Sequence, residues 1–279
     1  MRSRGLFVLA TARTLDKITD LKGLGIECLS LVVNEAESVK ACYEKSVQLL
    51  GGRGLDFIIN NAGKCISYHH PDSVLHANDI YPAIVRPAVE IDMSEAKDMF
   101  GSNIIGIMDL TQTFFPQTFF PQILLAKRTI VNVGSVAGHM PLPFYSVFSA
   151  TKAALYAYSE CMRVELAPFG IKVVYIQAGN VKTDGMRLRG RTALNENSLF
   201  KPIEDGFLER QEIAATTGMD PDGFAKQLVQ KVLTGTGKVI WIGESAFWCR
   251  AMNTLENFLP FSLWPFFFSQ GYHMERLKT

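Results

Sequence analysis

Short apolar runs bounded by turn residues alternate along this chain with longer segments of helical period, and that alternation limits the folds open to it more than any other feature. The runs are Leu6 to Ala10, Ile26 to Val32, Leu55 to Asn60, Thr129 to Val133, Ile171 to Ile176 and Lys238 to Gly243. Between them, helices are predicted over Ala36 to Leu50, Ser94 to Phe115, Ser146 to Ala167 and Pro221 to Leu233. Strands and helices in this order build βαβ units around a parallel sheet buried on both faces, an α/β fold. Ser94, followed by Glu95 in the first turn, reads as a helix N-cap, and Pro168 with Gly170 stops the helix that starts at Ser146. Phe114-Phe115-Pro116-Gln117 is echoed at Phe119-Phe120-Pro121-Gln122, and its two prolines predict a helix end followed by a loop. Tyr68 to Val85 has no steady period and reads as a long surface loop.

The 279 residues suit one large α/β core, because 48% are hydrophobic and 20% charged. Lys plus Arg number 28 against 27 acidic residues, so a net charge of +1 draws neither nucleic acid nor an anionic surface by long-range attraction. A small-molecule partner is expected, and no nucleic acid. The five cysteines show no C-x-x-C, and neither they nor the five histidines have metal-ligand spacing, so reduced thiols, a cytoplasmic setting and no metal site are expected. Arg2 and Arg4 precede an apolar run too short for a signal-peptide core. The apolar run from Phe258 to Phe268 contains Pro260 and Pro265 and is far shorter than the roughly 20 residues that cross a bilayer.

Four local patterns recur at predicted strand ends or on the adjoining helices. Asn60-Asn61-Ala62-Gly63 follows the third strand. Asn103 lies within the helix predicted next, Gly134-Ser135-Val136-Ala137-Gly138 follows the fourth strand, and Ser149-Ala150-Thr151-Lys152-Ala153-Ala154 lies on the helix after it. Together with Ala178-Gly179-Asn180-Val181-Lys182-Thr183, they resemble the classical short-chain dehydrogenase/reductase family, nearest a fungal group similar to 1-acyldihydroxyacetone-phosphate reductase. Open parallel sheets bind ligands at strand carboxyl ends, which favours the same positions independently. The resemblance implies a Rossmann-type, doubly wound sheet in one domain over residues 1–279, with a substrate-capping region at 186–218 and an apolar C-terminal tail at 258–279. It implies an NADPH-dependent oxidoreductase that reduces a carbonyl, or oxidises an alcohol, on a small apolar substrate, in the manner of secondary-metabolite enzymes. Ser135, Lys152 and Asn103 take the catalytic roles. Asn61, Ala62, Gly63, Lys152, Val181 and Thr183 line the cofactor, and Arg13 in Ala10-Thr11-Ala12-Arg13 grips the 2′-phosphate of NADP.

The chain also departs from the family pattern. Where the family has its catalytic tyrosine, four residues before the lysine, this chain has Phe148. Tyr145 is the nearby candidate for a substitute acid. The first run resembles the family's second strand, so the opening βα unit and its glycine-rich turn are expected to be missing from the sheet. Asn34 stands where the family has an aspartate near the adenine, and Tyr68 to Val85 is an insertion. These departures leave open a redox-silent isomerase or cyclase and a non-catalytic binding protein. The aromatic tail is expected to close the substrate pocket, to form a contact between copies in a homo-oligomer, or to rest peripherally on a membrane such as endoplasmic reticulum or a lipid droplet.

Overall fold

Every one of the six apolar runs carries a strand. In the computed structural model, which describes residues 1–63, 85–119, 128–183, 191–235, 237–260 and 262–277, the strands are β1 Leu9–Ala12, β2 Glu27–Ser30, β3 Phe57–Asn60, β4 Thr129–Val133, β5 Lys172–Ala178 and β6 Val239–Ile242. All their pairings are parallel. β1 pairs with β2, and the order in the larger sheet is β3-β4-β5-β6. Among the described residues no strand pairs with the outer edge of β1 or of β3, so two sheets stand where one continuous sheet would need a further strand. The first strand also starts three residues later than the expected Leu6 and runs on to Ala12. One core still serves both sheets: Leu29 and Leu31 beside β1 pack in the same cluster as Ile58 of β3 and Ile130 of β4.

Helix α1, Ala36–Leu50, matches its predicted bounds and buries Val39, Cys42, Tyr43, Ser46 and Leu50 at helical spacing. The single helix expected over Ser94 to Phe115 is instead three pieces: α2 Met93–Phe100, a π-helical turn over Gly101–Ile105, and α3 Gly106–Phe119. Its cap is Asp92 rather than Ser94, because the Asp92 carboxylate accepts from the Ser94 amide at 2.7 Å and the Ser94 hydroxyl at 2.6 Å. The π turn ends where Gly106 lies against the Val33 carbonyl, so close that a Cβ there would stand 2.3 Å from the oxygen. Pro116 does not end α3. The helix runs through it to Phe119, although the missing amide leaves the Gln112 carbonyl without its i+4 helical donor. The second copy of the Phe-Phe-Pro-Gln repeat beyond Phe119, and Tyr68 to Ala83 with Ile84 of the expected loop, lie outside the described residues.

Helix α4, Ser146–Leu166, buries Thr151, Lys152, Leu155, Ser159 and Met162 along one face, and Pro168 and Gly170 follow it in a terminal turn. Three helices were not foreseen: α5 Glu204–Thr216, and, after α6 Pro221–Thr234 and β6, α7 Ala246–Glu256 and α8 Trp264–Gly271. Residues 191–218 of the capping region fold as irregular chain plus α5, whose Phe207 joins Phe144, Tyr145, Leu194, Ile203 and Tyr272 in a second apolar cluster. Among the described residues no helix is long and apolar enough to cross a membrane.

Candidate active site

Lys152 is the centre of the site. It stands on the inner face of α4 and is only 6% exposed. Its Nζ donates to the Val133 carbonyl at the end of β4 at 3.1 Å and lies 5.7 Å from the centre of the Phe148 ring, a cation over an aromatic face. Burying an ammonium without such partners would be prohibitively unfavourable. Asn103, fully buried in the π turn, donates through Nδ2 to Thr151 Oγ1 at 3.1 Å and so docks on α4 beside the lysine. π turns recur at functional positions because they turn one residue out of helical register. Gly63 completes the group: a Cβ on it would stand 3.4 Å from Asn103 Oδ1 and 3.6 Å from Lys152 Nζ.

Ser135 begins the turn after β4. Its Oγ accepts from the Ala137 amide at 3.2 Å, which leaves its O–H to donate outward. Two contacts that sequence reasoning missed fix this turn against α4. Gly138 packs on the backbone of α4 so tightly that a Cβ would stand 2.9 Å from the Lys152 carbonyl carbon. Tyr175 of β5, fully buried, donates its hydroxyl to the Lys152 carbonyl at 3.0 Å, and burial pushes that phenol far above its ordinary range against an opposing hydrogen bond from the Ser135 amide. The ring fits only because the residue before Ser135 is Gly134, whose Cβ would lie 1.9 Å from it. A glycine directly ahead of Ser135 on a buried strand was the available signal.

Asn60 is bonded within the core of the sheet. It is buried, donates to Asn132 Oδ1 at 2.8 Å, and Asn132 in turn donates to Ser159 Oγ at 2.8 Å, which ties β3 and β4 to α4. Thr11 and Ala12 at the end of β1 and Arg13 just after it meet Leu31, Val33, Asn34, Ala62, Gly63 and Ser102 around an open cleft of about 190 Å³. Arg13 is exposed at its rim, and exposed Asn61 begins the turn that supplies Ala62 and Gly63. Val181 and Thr183 lie past the end of β5, in a segment whose backbone pairs with Met219. Tyr145 is buried in the second apolar cluster, with Phe148 packed on the same cluster.

A nicotinamide dinucleotide fits this donor set at both ends. Arg13 and Asn34 stand at one and Lys152, Asn103 and Ser135 at the other. Its diphosphate finds less: the turn after β1 holds no glycine, and the cleft is smaller than the roughly 300–1,000 Å³ of typical ligand pockets.

Parallel strands, flanking helices and polar groups gathered at the strand carboxyl ends define an α/β protein of Rossmann type. The model of the short chain dehydrogenase family matches residues 2–193, and the chain belongs to that family. It is 32% identical over 211 residues to the NADPH-dependent 1-acyldihydroxyacetone phosphate reductase of Schizosaccharomyces pombe, covering 74% of this chain but 63% of that relative's length. It is also 26% identical to the short-chain dehydrogenase virD of Hypocrea virens over 99% of this chain and 86% of the relative. Among solved structures, a short-chain dehydrogenase from Streptomyces avermitilis matches with a TM-score of 0.71 and 24% identity, over 92% of this chain and 85% of that one. The relatives are oxidoreductases, and the family uses nicotinamide cofactors.

Proposed function

We propose that the chain binds NADP(H) along the strand ends and acts as a reductase on a carbonyl of a small apolar molecule. The observation that carries this reading is the buried Lys152 ammonium, held on the Val133 carbonyl beside Asn103 and Gly63. A cation built into the fold at that depth has a use that a solvated helix lysine lacks. Bound reduced nicotinamide would supply the hydride. Arg13 would hold a 2′-phosphate, Ala62, Gly63, Val181 and Thr183 would border the cofactor, and Lys152 with Asn103 would hold the nicotinamide ribose. Ser135, its oxygen already turned toward the Ala137 amide, would donate a hydrogen bond to the substrate oxygen and stabilise the alkoxide as it forms, and water would supply the proton that completes the alcohol. The apolar cluster around Phe148, Phe144 and Tyr272 supports an apolar substrate on that side.

Phe148 favours a second reading, because its ring offers no proton and joins that cluster: a redox-silent member that orients an apolar substrate for isomerisation or cyclisation. Fluorescence titration of the purified chain with NADPH, followed by single-turnover absorbance with an aromatic ketone, separates the two. Binding with nicotinamide oxidation supports the reductase. Absence of oxidation, in the parent chain and after Phe148→Tyr alike, supports the redox-silent reading, and no binding of NADPH rejects the reductase.

A further inference from the structure

The outer surfaces of α7 and α8 invert the pattern of a water-facing helix. On α7 the buried positions are the small Ala246 and Cys249, whereas Phe247 and Trp248 are 72% and 70% exposed, their rings edge to face at 5.5 Å. An amphipathic helix on a protein surface does the opposite, with its large apolar side chains inward. On α8 the inward side is already supplied: Trp264 is buried and stacks on Phe268, and Phe268 packs on the second apolar cluster. Phe266 and Phe267 remain outside, and Phe258, in the link between the helices, is 81% exposed. These five aromatics are surplus to the fold.

Charge distinguishes the occupant. Helix α8 has no charged side chain, and α7 has two, Arg250 and Glu256. The Glu256 carboxylate is turned back to accept from the Ser262 hydroxyl at 2.6 Å and the Leu263 amide at 2.8 Å, which fastens α8 to the end of α7. The exposed ionic group that α7 presents beside its aromatics is therefore the Arg250 cation. Phenylalanine and tryptophan partition well at the boundary between headgroups and acyl chains, and a cation among them complements anionic headgroups. Helices of 11 and 8 residues are far too short to span a hydrocarbon core of about 30 Å, so they would lie within the interface.

We infer that this aromatic face docks the protein reversibly on an anionic phospholipid bilayer. The test uses the full chain with phosphatidylcholine vesicles, with and without phosphatidylserine, read by co-sedimentation and by quenching of tryptophan fluorescence with lipids brominated on their acyl chains. Trp264 is buried, which makes Trp248 the reporter on this face. The expected result is sedimentation that rises with phosphatidylserine, and quenching that Trp248→Tyr removes while sedimentation persists. Exchanging Phe247, Trp248 and Phe258 together for serine should lower the bound fraction by about tenfold or more without shifting the melting temperature. Absence of sedimentation with both vesicle types overturns the inference. So does light scattering that shows a dimer whose Trp248 is shielded from acrylamide without lipid, since a second copy would then occupy the face. If the triple variant fails to fold, quenching in the parent chain decides.

Discussion

Gly134→Ala should destabilise the protein through one contact. The added Cβ would stand 1.9 Å from both Cζ and the hydroxyl oxygen of Tyr175, against the roughly 3.5 Å or more that non-bonded carbons need. Tyr175 has nowhere to retreat: it is fully buried on β5, its ring packs edge to face on Tyr156 at 5.2 Å, and its hydroxyl is held by the Lys152 carbonyl. Relief must come from a shift of strand or ring. Overpacking of this kind costs about 1–3 kcal/mol, and losing the hydroxyl's hydrogen bond adds about 0.5–1.5 kcal/mol. At about 2–4 °C per kcal/mol for a large domain, the thermal midpoint should fall by roughly 3–18 °C. A double-mutant cycle isolates the cause. Tyr175→Val alone leaves a cavity, but in that background Gly134→Ala should cost less by about 1.5 kcal/mol or more, because the methyl enters the vacated space. A melting point for Gly134→Ala within about 1 °C of the parent, or strict additivity in the cycle, would refute the clash and with it the role of Tyr175 in seating the Ser135 turn.

Three further outcomes are expected. NADPH titrated into the chain should bind more weakly than about 10 µM, because the diphosphate lacks backbone amides at a glycine-rich turn, and low-micromolar affinity would contradict this. Phe148→Tyr should raise carbonyl reduction by at least about tenfold, since a positioned acid contributes about 10²–10⁴-fold and the Lys152 ammonium 5.7 Å from the ring would favour the phenolate; an unchanged rate in a folded, cofactor-saturated variant counts against the reductase. The Ser262 hydroxyl holds the Glu256 carboxyl below its ordinary range, with the Leu263 and Trp264 amides helping. A depressed pKa stabilises at pH above the unperturbed value and is lost as pH falls through the folded one, so the protection factors of the α8 amides, corrected for intrinsic exchange, should be constant at neutral pH and fall once the carboxyl takes up its proton in acid, and Glu256→Gln should remove that dependence.

The strands were legible because each is a short apolar run between turns, and α1 because Val39, Cys42, Tyr43 and Ser46 recur at helical spacing. What the sequence hid has physical reasons. α5 has no apolar stripe and carries Gly206 in its first turn. α7 places its aromatics outward, which defeats a search for a buried face. Pro265 reads as a breaker but occupies the start of α8, where its missing amide has no helical partner to lose. The break at Gly101 to Ile105 was invisible because it depends on Gly106 meeting the Val33 carbonyl, which only the tertiary fold brings there. Of the residues named from the sequence, Lys152, Asn103 and Gly63 lie together and Ser135 sits on the turn tied to them. Tyr175 escaped notice because, in a strand buried on both faces, an aromatic residue is indistinguishable from core until its hydroxyl's partner is seen.

The absence of a hydroxyl on residue 148 and the integrity of the site are separable. Lys152 and the Ser135 turn are held through the Val133 carbonyl, the Gly138 backbone and the Tyr175 hydroxyl, and residue 148 adds a ring beneath the ammonium that a phenol would supply equally. The Phe148 ring still lies under the ammonium and still packs on the second apolar cluster, so exchanging a phenol for a phenyl removes a proton donor without loosening its neighbours. A single hydroxyl at 148 should therefore supply acid chemistry to a frame that needs no rebuilding, whereas a single methyl at 134, which carries no titrating group, should disturb that frame directly. Chemistry and architecture respond to different residues here, and the two substitutions together distinguish a site that lost its acid from one that lost its shape.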